Sequence, residues 1–225
     1  MCVNYRPPDR DVLDQGMGLK FDVDATWKPE IWKDYVAPIV RRGTNGREGI
    51  LASYGMVPAH RLPPGVRFDS MNARSESVGE KRTFKSAWAK AHHCLAPMTA
   101  FYEPCYESGK AVRWGIGMAD ESMFAVAGLW KEWDSDAGPE YSFTQLTINA
   151  DDHPLMKRFH KPGDEKRALV IVPRDAWDDW LECDDPEFAR AFLQHFPAEL
   201  MTSWAFPVPP RAKKTNQPSG QLFES

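Results

Sequence analysis

Short apolar runs separated by turn-forming residues dominate this chain. Gly49-Ile-Leu-Ala-Ser-Tyr-Gly-Met-Val57, Cys94 to Tyr106, Val112 to Met118, Phe124 to Trp130, Tyr141 to Ile148 and Ala168 to Val172 are rich in β-branched and aromatic residues. Gly, Pro or Asp bound them, a pattern that predicts strands. Residues 112–118, 124–130 and 141–148 follow one another across Ala119-Asp-Glu-Ser122 and Asp134-Ser-Asp-Ala-Gly-Pro139, which predicts antiparallel hairpins rather than βαβ units. Helices are predicted at about 29–35, 83–93, 174–182 and 186–195, the last with Asp185 as cap and Pro186 at the first helical position. The expected fold is a single α+β domain, with a curved, mostly antiparallel β-sheet or barrel flanked by short helices. The domain should span residues 1–205. Residues 206–225, with four prolines and few apolar positions, should form an extended C-terminal tail.

Composition narrows the class. The 225 residues are 42% hydrophobic and 12% aromatic, enough for one sizeable core. No run approaches the roughly 18 apolar residues that cross a bilayer, and no basic stretch leads into an apolar segment at the N-terminus. The expectation is a cytoplasmic, monomeric protein with no membrane partner. The four cysteines, Cys2, Cys94, Cys105 and Cys183, have neither zinc-site spacing nor disulfide-scaffold density. We expect reduced thiols, no metal and no organic cofactor.

The net charge of -4 does not announce a nucleic-acid partner. Its distribution says more: residues 41–93 hold ten Lys or Arg against four acids, and Arg211-Ala-Lys-Lys214 is also basic, while acids gather at 120–140 and 175–187. Such polarity is also ordinary for a solvated surface.

Position 2 carries candidate chemistry. A residue as small as Cys2 permits removal of Met1, which would leave a free α-amine and a thiol on one carbon skeleton. The α-amine of a peptide titrates near 7.7–8.0, so a useful fraction is nucleophilic at neutral pH. This 1,2-aminothiol can condense with an aldehyde to an imine that the thiol closes into a thiazolidine. It can equally attack an amide carbonyl as an N-terminal nucleophile.

Further along lie Asn72-Ala-Arg-Ser-Glu-Ser77, Arg82-Thr-Phe84, Cys94-Leu-Ala-Pro97 and Phe101-Tyr-Glu-Pro104, with Val36-Ala-Pro38, Tyr54-Gly-Met-Val-Pro58, Ala127-Gly-Leu-Trp130, Thr147-x-x-Ala150 and His160. In this order they resemble the SRAP (SOS response-associated peptidase) family of abasic-site crosslinking proteins, across residues 1–173. The resemblance implies Cys2 as nucleophile, Asn72 hydrogen-bonding near its amine, Glu103 as acid/base and His160 assisting proton transfer. It further implies Pro38, Arg74, Arg82, Thr147 and Lys161 as DNA-binding residues, single-stranded DNA containing abasic sites as the partner, and a role in the DNA damage response. The chemistry agrees, because imine formation needs a group to protonate the departing water, and a carboxyl withdrawn from solvent suits that work.

The pattern is not complete. The family's Met-Cys-Gly-Arg opening is Met-Cys-Val-Asn here, Glu-Trp is Glu103-Pro104, and His-x-Arg-Met-Pro is His160-Lys-Pro-Gly-Asp, which leaves Lys161 to stand for the arginine. An N-terminal cysteine peptidase or amidase, and a noncatalytic single-stranded DNA binder, remain the alternatives.

Overall fold

The computed structural model describes residues 3–21 and 24–207. The strands are β1 (Tyr5–Arg6), β2 (Val36–Gly43), β3 (Gly46–Tyr54), β4 (Asn72–Arg74), β5 (His93–Met98), β6 (Ala100–Cys105), β7 (Val112–Met118), β8 (Phe124–Trp133), β9 (Glu140–Asn149), β10 (Arg167–Leu169), β11 (Ile171–Val172) and β12 (Met201–Ala205). The helices are short: α1 (Arg10–Met17), α2 (Lys85–Ala89), α3 (Trp177–Glu182) and α4 (Pro186–Ala189). This is a mixed α+β single domain, rich in sheet, as the hydrophobic pattern predicts.

The strands form two sheets. One runs β1-β6-β7-β12; the other holds eight strands ordered β10-β9-β3-β2-β5-β8-β11, with β4 added beside β9. The larger sheet curls strongly, so β9 pairs in parallel with β3 and β4 and antiparallel with β8. The buried core holds Trp177, Trp180, Tyr5, Tyr54 and Phe143. Two of its buried polar groups are paired, as burial favours: the Trp180 indole N–H donates to the Cys94 carbonyl at 2.9 Å, and Tyr54 Oη to Gln145 Oε1 at 3.0 Å.

The Ala127-Gly-Leu-Trp130 segment owes its glycine to this curl. A Cβ on Gly128 would stand 2.6 Å from the Thr144 carbonyl oxygen and 2.9 Å from Cys94 Sγ, closer than carbon approaches either. Gly128→Ala must part β8 from β9 and is expected to cost about 1–3 kcal/mol. The measurement is the urea midpoint; a wild-type value would show that the strands yield freely.

Several elements differ from the sequence expectation. β7 and β8 do not form a hairpin. β7 lies between β6 and β12 in the four-stranded sheet, and β8 belongs to the curled one. The run 94–106 is two strands, parted at Thr99, whose N–H donates to the Arg6 carbonyl at 2.9 Å as the chain passes between sheets. Residues 29–35 are not helical, because Ile31 exchanges both backbone hydrogen bonds with Tyr5 and Asp34 takes a left-handed φ of 63°. The helix expected over 83–93 shrinks to α2, ending where Ala91 turns left-handed. Asp185 does cap α4, its Oδ1 accepting from Glu187 N–H at 2.8 Å and Phe188 N–H at 3.2 Å. The helix then tightens to a 3₁₀ turn over Arg190–Phe192 instead of reaching residue 195.

Candidate acid–base site

Glu103 sits on β6, a strand buried along nearly its whole length. Side chains alternate faces along a strand. Tyr102 turns to one face, stacking on Phe206 at 5.5 Å beneath the Arg113 guanidinium 3.6 Å from its ring centre. Glu103, with 3% exposure, turns to the other. There it meets His160, Nε2 to Oε2 at 3.1 Å.

The loop before β10 presents His160 in a constrained posture. Its backbone has a φ of 67°, in the left-handed region that non-glycine residues seldom occupy. Three hydrogen bonds hold it: His160 N–H to the Pro104 carbonyl at 2.9 Å, and Lys166 Nζ to the carbonyls of His160 at 3.3 Å and Lys161 at 2.9 Å. The imidazole is 8% exposed, and neither ring nitrogen makes an aligned hydrogen bond among the described residues.

The N-terminal strand approaches this pair. β1 runs antiparallel to β6, Tyr5 opposite Phe101, and the Asn4 carbonyl accepts from Tyr102 N–H at 3.2 Å. Asn4, which stands where the family has a basic residue, is 2% exposed, and its amide donates to Glu30. Glu30 in turn accepts from Arg113 at 2.6 Å. Cys2 itself lies outside the described residues, as do Arg211 to Lys214.

Asn72 and Arg74 occupy β4, in parallel register with Gln145 and Thr147 of β9. Alternation puts both on one face of this short strand. Arg74 is half exposed and pairs with Glu165 at 2.6 Å. Arg82 and Lys161 are exposed, and Arg82 has no ion pair among the described residues. Pro38 and Thr147 are buried, so neither side chain faces solvent in this structure. Pro38 lies opposite Leu51, ahead of Val40, where β2 takes β5 as its second neighbour. Thr147 Oγ1 donates to the Ala73 carbonyl at 3.4 Å and accepts from Arg167 at 3.1 Å.

Sequence reasoning passed over Arg167. Its guanidinium, 3% exposed, forks onto Glu76 at 2.7 and 2.9 Å and also reaches Glu165 at 2.8 Å and the Thr147 carbonyl at 2.7 Å. The acid of the Asn-Ala-Arg-x-Glu segment therefore clasps β10, and Arg167 is the arginine that reaches Thr147. Burial alone would raise the Glu76 carboxyl, but the hydrogen bond and charge of Arg167, with backbone N–H groups, hold it at about 2 against an ordinary 4.5. A depressed carboxyl stabilises the fold above its unfolded value, and that stability is lost as pH falls from about 4.5 to about 2. With the Glu76 side chain half exposed, the expected loss is about 1 kcal/mol, well under full linkage. Denaturant unfolding from pH 6 to 2.5 checks this: Glu76→Gln should flatten the acid limb, and an unchanged slope would remove Glu76 from the account.

Half of the basic residues in the stretch 41–93 close on acids, four of the five partners lying outside it. Arg41, Arg42, Arg47, Arg61 and Arg74 pair with Glu48, Asp184, Asp178, Glu140 and Glu165. Arg67, Lys81, Arg82, Lys85 and Lys90 have no ion pair among the described residues. Within the same residues no group of three or more His, Cys, Asp or Glu side chains could hold a metal ion, and no helix is long and apolar enough to cross a membrane.

The chain folds as a single-domain α+β protein that encloses a buried carboxyl–imidazole pair. Residues 10–213 match the family described as SOS response associated peptidase (SRAP). The chain belongs to the SRAP family. Among curated relatives, the "Abasic site processing protein YoaM" of Bacillus subtilis is 28% identical over 96% of this chain and 93% of its own, and YoqW of the same organism, likewise named an abasic site processing protein, is 27% identical over 84% and 82%. A crystal structure of a protein from Bordetella bronchiseptica superposes with a TM-score of 0.80 at 35% identity, covering 92% of this chain and all of that one.

Proposed function

We propose that this protein processes abasic sites in single-stranded DNA by forming a covalent thiazolidine crosslink through Cys2. The observation that carries the reading is the buried Glu103–His160 pair at 3.1 Å, with Glu103 on β6, the strand that β1 pairs with. The relatives named as abasic site processing proteins support the substrate class.

The chemistry balances without an oxidant or cofactor. With Met1 removed, the α-amine of Cys2 adds to the aldehyde carbon of the ring-opened deoxyribose, giving a carbinolamine. Glu103 supplies the proton with which the hydroxyl departs as water, leaving an iminium. The Cys2 sulfur adds to that carbon and closes a five-membered ring, its proton being taken up by the pocket. His160 relays protons between Glu103 and the leaving or returning oxygen. Arg74, Arg82 and Lys161 grip flanking phosphates, a sequence-independent contact suited to a target that lacks a base.

Cys94 and Cys183 are poor substitutes for Cys2, since burial pushes both thiols up, away from the reactive thiolate. Cys105 is buried at 3% exposure.

The test is intact-mass spectrometry after mixing the protein with an abasic single-stranded oligonucleotide. The expected species lacks Met1 and weighs protein plus oligonucleotide less one water. Retention of Met1, or no mass shift, overturns the reading; cleavage of an amide substrate without an adduct would establish the peptidase alternative.

A further inference from the structure

Arg74 already has an anionic partner. Glu165 Oε2 lies 2.6 Å from its Nη1, while the other oxygen of the same carboxylate accepts from Arg167 at 2.8 Å and from the Asn149 amide at 3.3 Å. Glu165 is therefore anchored from behind and extends one oxygen to an arginine at the surface. The hydrogen bond from Arg167 is foremost among the effects that hold its carboxyl below the usual carboxylate range, with Arg74 and Asn149 adding to it against burial.

Arg74, Glu76, Ser77, Lys81, Asn149 and Glu165 line a single surface depression. A turn in which Lys81 N–H donates to the Ser77 carbonyl at 3.0 Å holds Ser77 and Lys81 together. Lys81 is exposed and has no ion pair among the described residues. An arginine, a lysine and a serine hydroxyl make a donor set for a phosphate oxygen, and the place such an anion would take at Arg74 is held by Glu165.

We propose that this depression is a phosphate subsite built from Arg74, Ser77 and Lys81, and that Glu165 is its resident anion, displaced when a DNA phosphate arrives. The inference rests on the reading of Arg74 as a phosphate ligand. An exposed ion pair is weak, so the exchange is cheap, and Arg167 retains the displaced carboxylate. Glu165 thereby lowers the affinity for any single strand. Intact DNA leaves quickly, whereas DNA bearing an aldehyde is kept by the covalent bond, so Glu165 acts as a specificity-determining residue that never touches the abasic sugar.

Fluorescence anisotropy with a labelled, intact single-stranded oligonucleotide tests this in wild type, Glu165→Gln, Arg74→Ala, Lys81→Ala and the Arg74→Ala/Glu165→Gln double variant. Gln keeps the size of Glu165 and one acceptor oxygen for Arg167 and Asn149, but loses the charge and the second acceptor that face Arg74, and thermal melting verifies the fold. Glu165→Gln is expected to bind about threefold to fivefold tighter, with a salt slope steeper by up to about 0.7. Arg74→Ala and Lys81→Ala should bind more weakly, and the double variant should match Arg74→Ala. Weaker binding by Arg74→Ala with no gain from Glu165→Gln overturns the resident-anion inference and leaves Arg74 a phosphate ligand. An equal gain with and without Arg74 also overturns it, as a general charge effect. Wild-type binding by Lys81→Ala removes the subsite beyond Arg74, and wild-type binding by Arg74→Ala removes the phosphate reading itself.

Discussion

Cys2→Ala is expected to reduce the heat-stable adduct with abasic DNA to background while leaving noncovalent binding to the strand intact. Alanine is also small enough to permit removal of Met1, so the variant keeps its α-amine and can still form an imine. It lacks only the sulfur that closes the ring. An open imine hydrolyses when the complex is heated in detergent, whereas borohydride reduces it to a stable amine. A denaturing gel run with and without borohydride therefore separates the two steps: the variant should show an adduct only after reduction, the wild type in both lanes. Cys2→Ser should resemble Cys2→Ala, because oxygen traps the imine less well than sulfur. The remaining cysteines offer no substitute, two of them having thiols that burial pushes up and the third lying at 3% exposure. A heat-stable adduct undiminished in Cys2→Ala would place the trapping group elsewhere.

Strands whose apolar runs are bounded by turn residues could be read directly: β7 lies over Val112–Met118 as expected, and β8 and β9 are antiparallel neighbours. The pattern does not encode which sheet a strand joins. β7 and β8 are adjacent in sequence yet part company, because Gly115 and Gly117 leave room for Trp204 of β12 to lie over β7, a long-range contact without local signature. β2 went unread because Pro38 and the Arg41-Arg42 pair interrupt its apolar run. Its registry with β3 supplies what the local composition lacks.

The site divides along the same line. Glu103 and His160 are 57 positions apart, and their residue types, with the family resemblance, marked them before the fold brought them to 3.1 Å. Arg167 stayed hidden inside Asp164-Glu-Lys-Arg167, a charge run that reads as solvated surface. Only the tertiary structure buries one of its four charges and leaves its neighbour Glu165 reaching for Arg74. The motif acid Glu76 likewise gave no sign that its partner would be internal rather than a substrate.

Glu103→Gln is expected to slow crosslinking by about 10²–10⁴-fold, the usual consequence of removing a general acid, whereas His160→Ala should act chiefly on release. Both expectations come from the geometry of one pair. Glutamine fills the space of Glu103 and keeps a polar atom facing His160, so β6 and its pairing with Trp114 should survive. What disappears is the proton that converts the carbinolamine hydroxyl into water, and the end point can still be reached slowly. His160 is held by its backbone, through the Pro104 carbonyl and Lys166, so truncating its ring should leave the loop in place while removing the group that returns protons when the ring reopens. Formation is followed on denaturing gels from the time of mixing, and release by adding excess unlabelled abasic DNA to the preformed adduct, each across pH 5–8. Glu103→Gln should lower the formation rate at every pH. His160→Ala should lower the release rate most strongly. Equal rates in all three proteins would remove the pair from the mechanism, and a release defect confined to Glu103→Gln would exchange the two roles.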